Sequence, residues 1–439
     1  MMRAVPDART IWEAARSLGL DPRPVQFESV PASVLYEFAA YVIPGRMSHW
    51  SYGKAFWSMK TRYDYGLAKL YEMVINSNPA LAFLLETNTP LEDVFVMAHV
   101  MGHVDFFTHN RTFEHTAEDM PERVARHAER IRQYEFSHGQ ETVERLLDAV
   151  LAIQEHVDAS LPKPLSAGLA RRAPQQAQPD YSDLNPSAEA PHTPRDIHIK
   201  EGTEDLLAFI AEHSTELEDW ERDLVQMVRE EMLYLWPQIR TKIMNEGWAT
   251  FWHARLMRIL DLDDEDITNF ARLHSSVLQS PRVGINPYLV GFRLWERIAE
   301  VEGLDALWLI REVEDDVAFI RNHLDRETVE ALDLYTFSLH QDEVLVDSTE
   351  FHNVRQRLVE ELTHGGIPVI HVEDGDYNRR GELYLKHRHE GRDLDVPYAE
   401  RTLQHVQRLW GRPVHLETRQ DERRVVLTYD GRQSSKVVI

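Results

Sequence analysis

Apolar residues recur at the three-to-four-residue spacing of a helix through most of the first 340 positions, then give way to short alternating runs. IWEAARSLGL, from Ile11 to Leu20, predicts a short helix stopped by Gly19 and then by Pro22 and Pro24. Leu35, Phe38, Ala39 and Val42 keep the same period up to the Pro44–Gly45 turn. YDYGLAKLYEMVI and ALAFLLETN also predict helices, so the first 160 residues are expected to be almost wholly helical. From about Leu161 to Lys200 the chain is rich in Pro, Ala, Gln and Ser without period, as a linker or long loop is. Helical spacing resumes with TEDLLAFIAEHS and continues to about Tyr335. The last hundred residues differ in kind. IPVIHV, GELYLKH, PVHLETR and RRVVLTYDG read as strands, with YAERTLQHVQRLW as a helix among them, and GELYLKHRHEGRDLD reads as a hairpin with a charged tip. The fold class is therefore mainly α: a large helical domain over 1–340, interrupted by the linker at about 161–200, and a smaller C-terminal α+β module over 341–439.

Composition narrows what such a protein does. The 439 residues carry 73 acidic and 48 basic side chains, a formal charge of −25, which argues against nucleic acid as a partner because phosphate neutralisation needs clustered Lys and Arg. There is no cysteine, so thiolate nucleophiles, iron–sulfur clusters and thiolate zinc sites are excluded and any metal must sit on His, Asp or Glu. MMRAVPDART lacks the apolar core of a signal peptide, and no apolar run approaches the roughly 18 residues of a transmembrane span. A soluble cytoplasmic protein is the expectation.

The most apolar helical stretch, VFVMAHVMGHVDFFTHN, carries His99 and His103 four residues apart and hence on one face. Phe106 and Asn110 continue that stripe, whereas Asp105 points about 200° away from His103. Two buried imidazoles side by side need either a shared divalent metal ion or separate hydrogen bonds. Val100 stands where the zinc-peptidase signature HExxH requires Glu, so this helix supplies no general base of that kind. A second stretch, NEGWATFWH, places Glu246 and His253 seven residues apart, on one face but about 10 Å apart along a helix axis. Small residues, Ala249 and Thr250, lie between them and leave room for a facing helix. The arrangement that respects these spacings has His99, His103 and His253 as metal ligands, with Glu246 behind them or acting as general base. The polar-aromatic loop GRMSHWSYGK adds Arg46, His49, Tyr52 and Lys54 as candidates for lining a cleft, together with Asn110, but it is no phosphate loop.

RMSHWSYGKAF, YEMVINSNPALAFLLETN, MAHVMGHVDFFTHN, AERIRQYE with LDAVLAIQEHVD, TKIMNEGWATFWH and GELYLKHRHEGRDLD together resemble the stage V sporulation protein R (SpoVR) family over nearly the whole chain. The resemblance implies a role in spore cortex formation or bacterial stress physiology, and a serine protein kinase of the same pathway as a partner. Two functions are compatible with these residues. One is a His-ligated metal-dependent hydrolase acting on a small or cell-wall-related substrate. The other is a non-catalytic regulatory or scaffold protein whose histidines are structural.

Overall fold

A computed structural model describes residues 6–65, 69–159, 203–281, 284–340 and 343–439. The expected linker at about 161–200 lies outside them. In chain order the first elements are α1 (Ala8–Ser17), β1 (Val25–Val30), α2 (Ala32–Tyr41), α3 (Trp50–Asp64), β2 (Glu72–Ile75), β3 (Ala80–Leu85) and α4 (Pro90–His109). Then come α5 (Met120–His138), α6 (Gln140–Leu151), α7 (Leu206–His213), α8 (Asp219–Arg240), α9 (Lys242–Ile259) and α10 (Asp264–Val277). They are followed by α11 (Pro287–Val301), α12 (Leu304–Val313), α13 (Asp316–His323), α14 (Arg326–Ala331), β4 (Thr336–His340), β5 (Glu343–Ser348) and α15 (Phe351–Leu362). The chain closes with β6 (Ile370–Tyr377), β7 (Glu382–His387), α16 (Val396–Trp410), β8 (Val414–Gln420), β9 (Arg423–Tyr429) and β10 (Ser434–Val438). The described residues are mainly helical, as the periodicity predicts.

They pack as two units, Met1–Arg130 with Tyr234–Ile367 and Ile131–Leu233 with Pro368–Ile439. In the second unit five strands run in the order β10-β9-β8-β7-β6, with β7 and β8 parallel and joined by α16, whose Leu403, Val406 and Leu409 are buried. GELYLKHRHEGRDLD is therefore not a hairpin. It is β7 followed by a loop into α16, where Asp395 caps the helix by accepting from the Tyr398 amide at 2.9 Å and Pro397 sits in the first turn.

The first unit holds a second departure from the sequence reading. Val25–Val30, Glu72–Ile75 and Ala80–Leu85 are strands of one sheet, ordered β1-β3-β2, although the latter two stretches were expected to be helical. The physical reason is that apolar runs of four to eight residues are common to buried strands and buried helix segments, and period alone does not separate them. Asn76-Ser77-Asn78-Pro79, a turn sequence, divides them. β3 is the central strand and is buried on both faces, which is why it reads as unbroken hydrophobicity.

α4 and α9 run through the middle of this unit, and both are apolar nearly all round because neighbours cover every side. α4 starts at a capping box: the Thr89 hydroxyl accepts from the Glu92 amide at 3.2 Å, the Glu92 carboxylate accepts from the Thr89 amide at 2.7 Å, and Pro90 follows. α9 has no side-chain cap of its own. Asp316, from the first turn of α13, supplies one by accepting from the Ile243 and Met244 amides, both at 2.8 Å. Small residues let the helices touch at the backbone. A Cβ on Gly102 would come within 2.5 Å of Ala249 Cα, and one on Gly247 within 2.3 Å of the Gly291 carbonyl carbon in α11. α4, α9 and α11 are thus held closer than larger side chains allow. Trp248, Trp295, Phe106 and Phe251 fill the space around the crossings, each contributing on the order of 1.5–3 kcal/mol by burial.

Candidate metal centre

The close crossing of α4 and α9 brings His99 and His103 against the start of α9. A ligand atom from each of His99, His103 and Glu246 lies within 4.8 Å of the other two. His99 Nε2 is 3.7 Å and His103 Nε2 3.5 Å from Glu246 Oε2. Both imidazoles are buried, and the Glu246 side chain is 18% exposed. His99 Nε2 and Glu246 Oε2 are buried with no hydrogen-bond partner.

The protons of this group can be placed. His103 Nδ1 lies 2.9 Å from Asn245 Oδ1, an acceptor, so Nδ1 carries the hydrogen and Nε2 presents a bare lone pair towards the carboxylate. Burial first, then the neighbouring His99, pushes His103 down to about 4 against the pull of Glu246, so the ring is neutral at pH 7. Burial alone would raise the Glu246 carboxyl, but the imidazoles of His99 and His103 and the Tyr288 hydroxyl outweigh it and hold it below the usual carboxylate range. Two lone-pair atoms therefore face each other at 3.5 Å with no proton between them. That is an arrangement a cation satisfies and a hydrogen bond does not.

His253 meets His99 at the ring nitrogen other than the one near Glu246. Its Nδ1 lies 2.9 Å from His99 Nδ1, on the side of that ring away from Glu246, and its Nε2 lies 2.9 Å from Nδ1 of His274 in α10. Both its nitrogens are engaged. Burial and then the three neighbouring histidines keep its pKa well below the ordinary 6.5. Glu246, by contrast, faces both imidazoles directly.

Of the cleft candidates, Arg46 lies over the Tyr52 ring at 5.0 Å, and His49 caps α3 by accepting from the Ser51 amide at 3.3 Å. Lys54 is exposed on α3. Asn110 closes α4: its Oδ1 accepts from the Thr112 amide at 3.0 Å, and its Nδ2 donates to the Arg311 and Glu314 carbonyls at 2.6 and 2.8 Å. Those bonds occupy Asn110 in structure. Four residues of the centre were not singled out from the sequence: Asn245, His274, Tyr288 and Glu72. Tyr288 stacks on His99 with ring centroids 5.9 Å apart, and the charge of Glu246, then burial, lifts its phenol well above 10. Glu72, on β2, is raised by burial and by Glu246 while His99 pulls it the other way. Asn245 had a signal, adjacency to Glu246. The other three come from segments whose patterns mark only helix.

The pKa shifts give a sign for acid stability. A neutral imidazole buried in the fold binds its proton less readily than in the unfolded chain, so the unfolded state takes up protons first as pH falls. Stability is complete above 6.5 and is lost as pH drops from there towards the folded value, about 4 for His103. With His103 and His253 both contributing, the metal-free protein is expected to lose up to about 1.4 kcal/mol per pH unit per histidine across that window. Urea midpoints at pH 7.5, 6 and 5 check this, and a midpoint unchanged down to pH 5 contradicts it.

A mainly helical unit carrying a buried two-histidine, one-carboxylate cluster, continued by an α+β segment, defines the class of protein. The family model described as SpoVR like protein matches residues 7–367, and the chain belongs to that family. The model described as SpoVR-like C-terminal domain matches residues 368–421, beginning at Pro368, where the chain re-enters the second unit. The chain is similar to the Escherichia coli (strain K12) protein named "Uncharacterized protein YcgB", with 29% identity across 94% of this chain and 91% of the relative. No solved structure matches. Among the described residues no helix is long and apolar enough to cross a membrane.

Proposed function

We propose that this protein is a metal-dependent hydrolase whose divalent ion is held by His99 Nε2, His103 Nε2 and Glu246. Two imidazoles and one carboxylate are the donor set of catalytic zinc sites that keep a coordination position open for water or substrate. A bound ion there would supply a Lewis acid and a water activated at neutral pH. The chain's own groups do the rest. Asn245 fixes the His103 tautomer, His253 engages the back of His99, and the Tyr288 hydroxyl beside Glu246 is a protonated donor next to the reacting position. The observation that carries this reading is the bare His103 Nε2 facing the Glu246 carboxylate at 3.5 Å without a proton between them. The family resemblance in cortex formation and stress physiology directs the choice of substrate to a small or cell-wall-related molecule, and leaves a serine protein kinase as the partner to test first.

The test is a titration of metal-free protein with zinc, followed by calorimetry and by elemental analysis after gel filtration. One ion retained per chain is expected. Wild-type protein that retains none, across zinc, manganese and iron(II), overturns the proposal and leaves the regulatory or scaffold function with structural histidines.

A further inference from the structure

Three imidazoles stand in series behind the proposed metal position: His99 Nδ1 to His253 Nδ1 at 2.9 Å, then His253 Nε2 to His274 Nδ1 at 2.9 Å. They come from α4, α9 and α10. A neutral imidazole has one N–H and one lone pair on opposite sides of the ring, so the direction of the first hydrogen bond dictates the second. Only two directions are consistent. In the outward one, His99 Nδ1–H donates to His253 Nδ1, His253 Nε2–H donates to His274 Nδ1, and His274 carries its hydrogen on Nε2. His99 Nε2 is then a bare lone pair aimed into the cluster. In the inward one, His274 Nδ1–H donates to His253 Nε2, His253 Nδ1–H donates to His99 Nδ1, and His99 Nε2 carries a hydrogen that points towards Glu246, 3.7 Å away. An arrangement in which both outer rings donate would leave His253 with no hydrogen at all.

We infer that His274 is a positioning residue for the metal centre, which binds its ion only when the three-ring chain runs outward and His274 accepts. The inference rests on the ligand assignment proposed above. It gives His253 a role other than ligation: it passes the tautomer of a ring in the half-buried α10 to a ring in the core. The surroundings of His274 suit this. Its ring packs edge-on against Phe292 at 5.3 Å and beside Phe270 at 5.7 Å, so its plane is fixed by apolar contacts while its Nδ1 is left to His253. With the ring held and the partner chosen, what remains free is where the hydrogen sits.

Two measurements test the inference together. The first is zinc affinity of wild type, His274→Phe and His274→Gln. Phe keeps the packing with Phe270 and Phe292 but cannot accept from His253 Nε2, and is expected to weaken zinc binding on the order of 10- to 100-fold, the effect of removing a partner that orients a ligand. Gln presents a carbonyl oxygen and is expected to restore affinity to within a few-fold. The second is ring-nitrogen NMR of zinc-loaded wild type with 15N-labelled histidine, which is expected to show the His253 hydrogen on Nε2 and the His274 hydrogen on Nε2. A merely structural contribution of His274 does not select those tautomers, and circular dichroism of each variant separates lost folding from lost binding. Zinc-loaded protein with the His253 hydrogen on Nδ1, or His274→Phe binding zinc as tightly as wild type, overturns the inference while leaving the ligand set standing. Wild type that binds no metal overturns both.

Discussion

Glu246→Gln is expected to abolish stoichiometric metal binding while the protein stays folded. The substitution keeps the shape of the side chain and removes the one anion of the cluster. It also brings an amide N–H₂ beside the bare His103 Nε2, so that imidazole gains a hydrogen-bond donor in place of a cation. Loss of a ligand should exceed the 10- to 100-fold loss typical of removing a ligand's supporting partner, so affinity is expected to fall by more than about 100-fold. Stability of the metal-free protein is expected to fall modestly, because the fold holds the Glu246 carboxyl below its usual range, a stabilisation the neutral amide lacks. Two melts make the contrast. Zinc at about 100 times its Kd is expected to stabilise wild type by about 2.7 kcal/mol, and that increment is expected to vanish in Glu246→Gln. A variant that still retains one zinc per chain would show that the carboxylate is not a ligand, and His253 would then have to be reconsidered.

How much of this was legible beforehand depends on which physical signal each residue leaves in the sequence. His99 and His103 were legible because i and i+4 share a helical face whatever surrounds it, and Glu246 was legible as an acid at the start of an apolar helix. The division of labour between Glu246 and His253 was not. Seven residues put both on one face of α9, but which of them meets the α4 imidazoles head-on depends on where along its length α9 crosses α4. That crossing is fixed by Gly102 against Ala249, and α9 is held in turn against α11 by Gly247 on Gly291, close contacts between distant segments that no local pattern encodes. The α-helical class was legible for the same reason as the histidines: long, strongly periodic stretches announce themselves. Strands β2 and β3 were not, since apolar strands of four and six residues carry neither alternation nor length. Asp105 shows a negative inference of use. Its position about 200° from His103 removed it from the ligand set, and in the fold it meets the Asp21 amide beyond α1, Trp248 of α9 and Arg311 of α12.

That placement makes Asp105→Ala the substitution expected to damage the first unit most. Asp105 is fully buried and paired with Arg311. Its Oδ2 accepts from Arg311 Nη1 at 2.7 Å and from Trp248 Nε1 at 2.9 Å, and its Oδ1 accepts from the Asp21 amide at 2.8 Å. Truncation leaves the Arg311 guanidinium, itself buried, without its counter-charge, and leaves the Trp248 indole N–H and a backbone amide without acceptors. Breaking one partner of a buried pair costs about 3–5 kcal/mol, a large share of the 5–15 kcal/mol that holds a typical domain together. The loss is expected to reach the proposed metal centre without touching it. Asp105 stands two residues beyond His103 on α4, and Trp248 two residues beyond Glu246 on α9, so their hydrogen bond pins the same crossing that brings His103 beside Glu246. Asp105→Ala should therefore lower both the urea midpoint and zinc affinity, whereas Arg311→Met, which leaves Asp105 to Trp248, should cost stability with a smaller change in affinity. Zinc binding at wild-type strength in a folded Asp105→Ala protein would mean that the glycine contacts alone set the crossing.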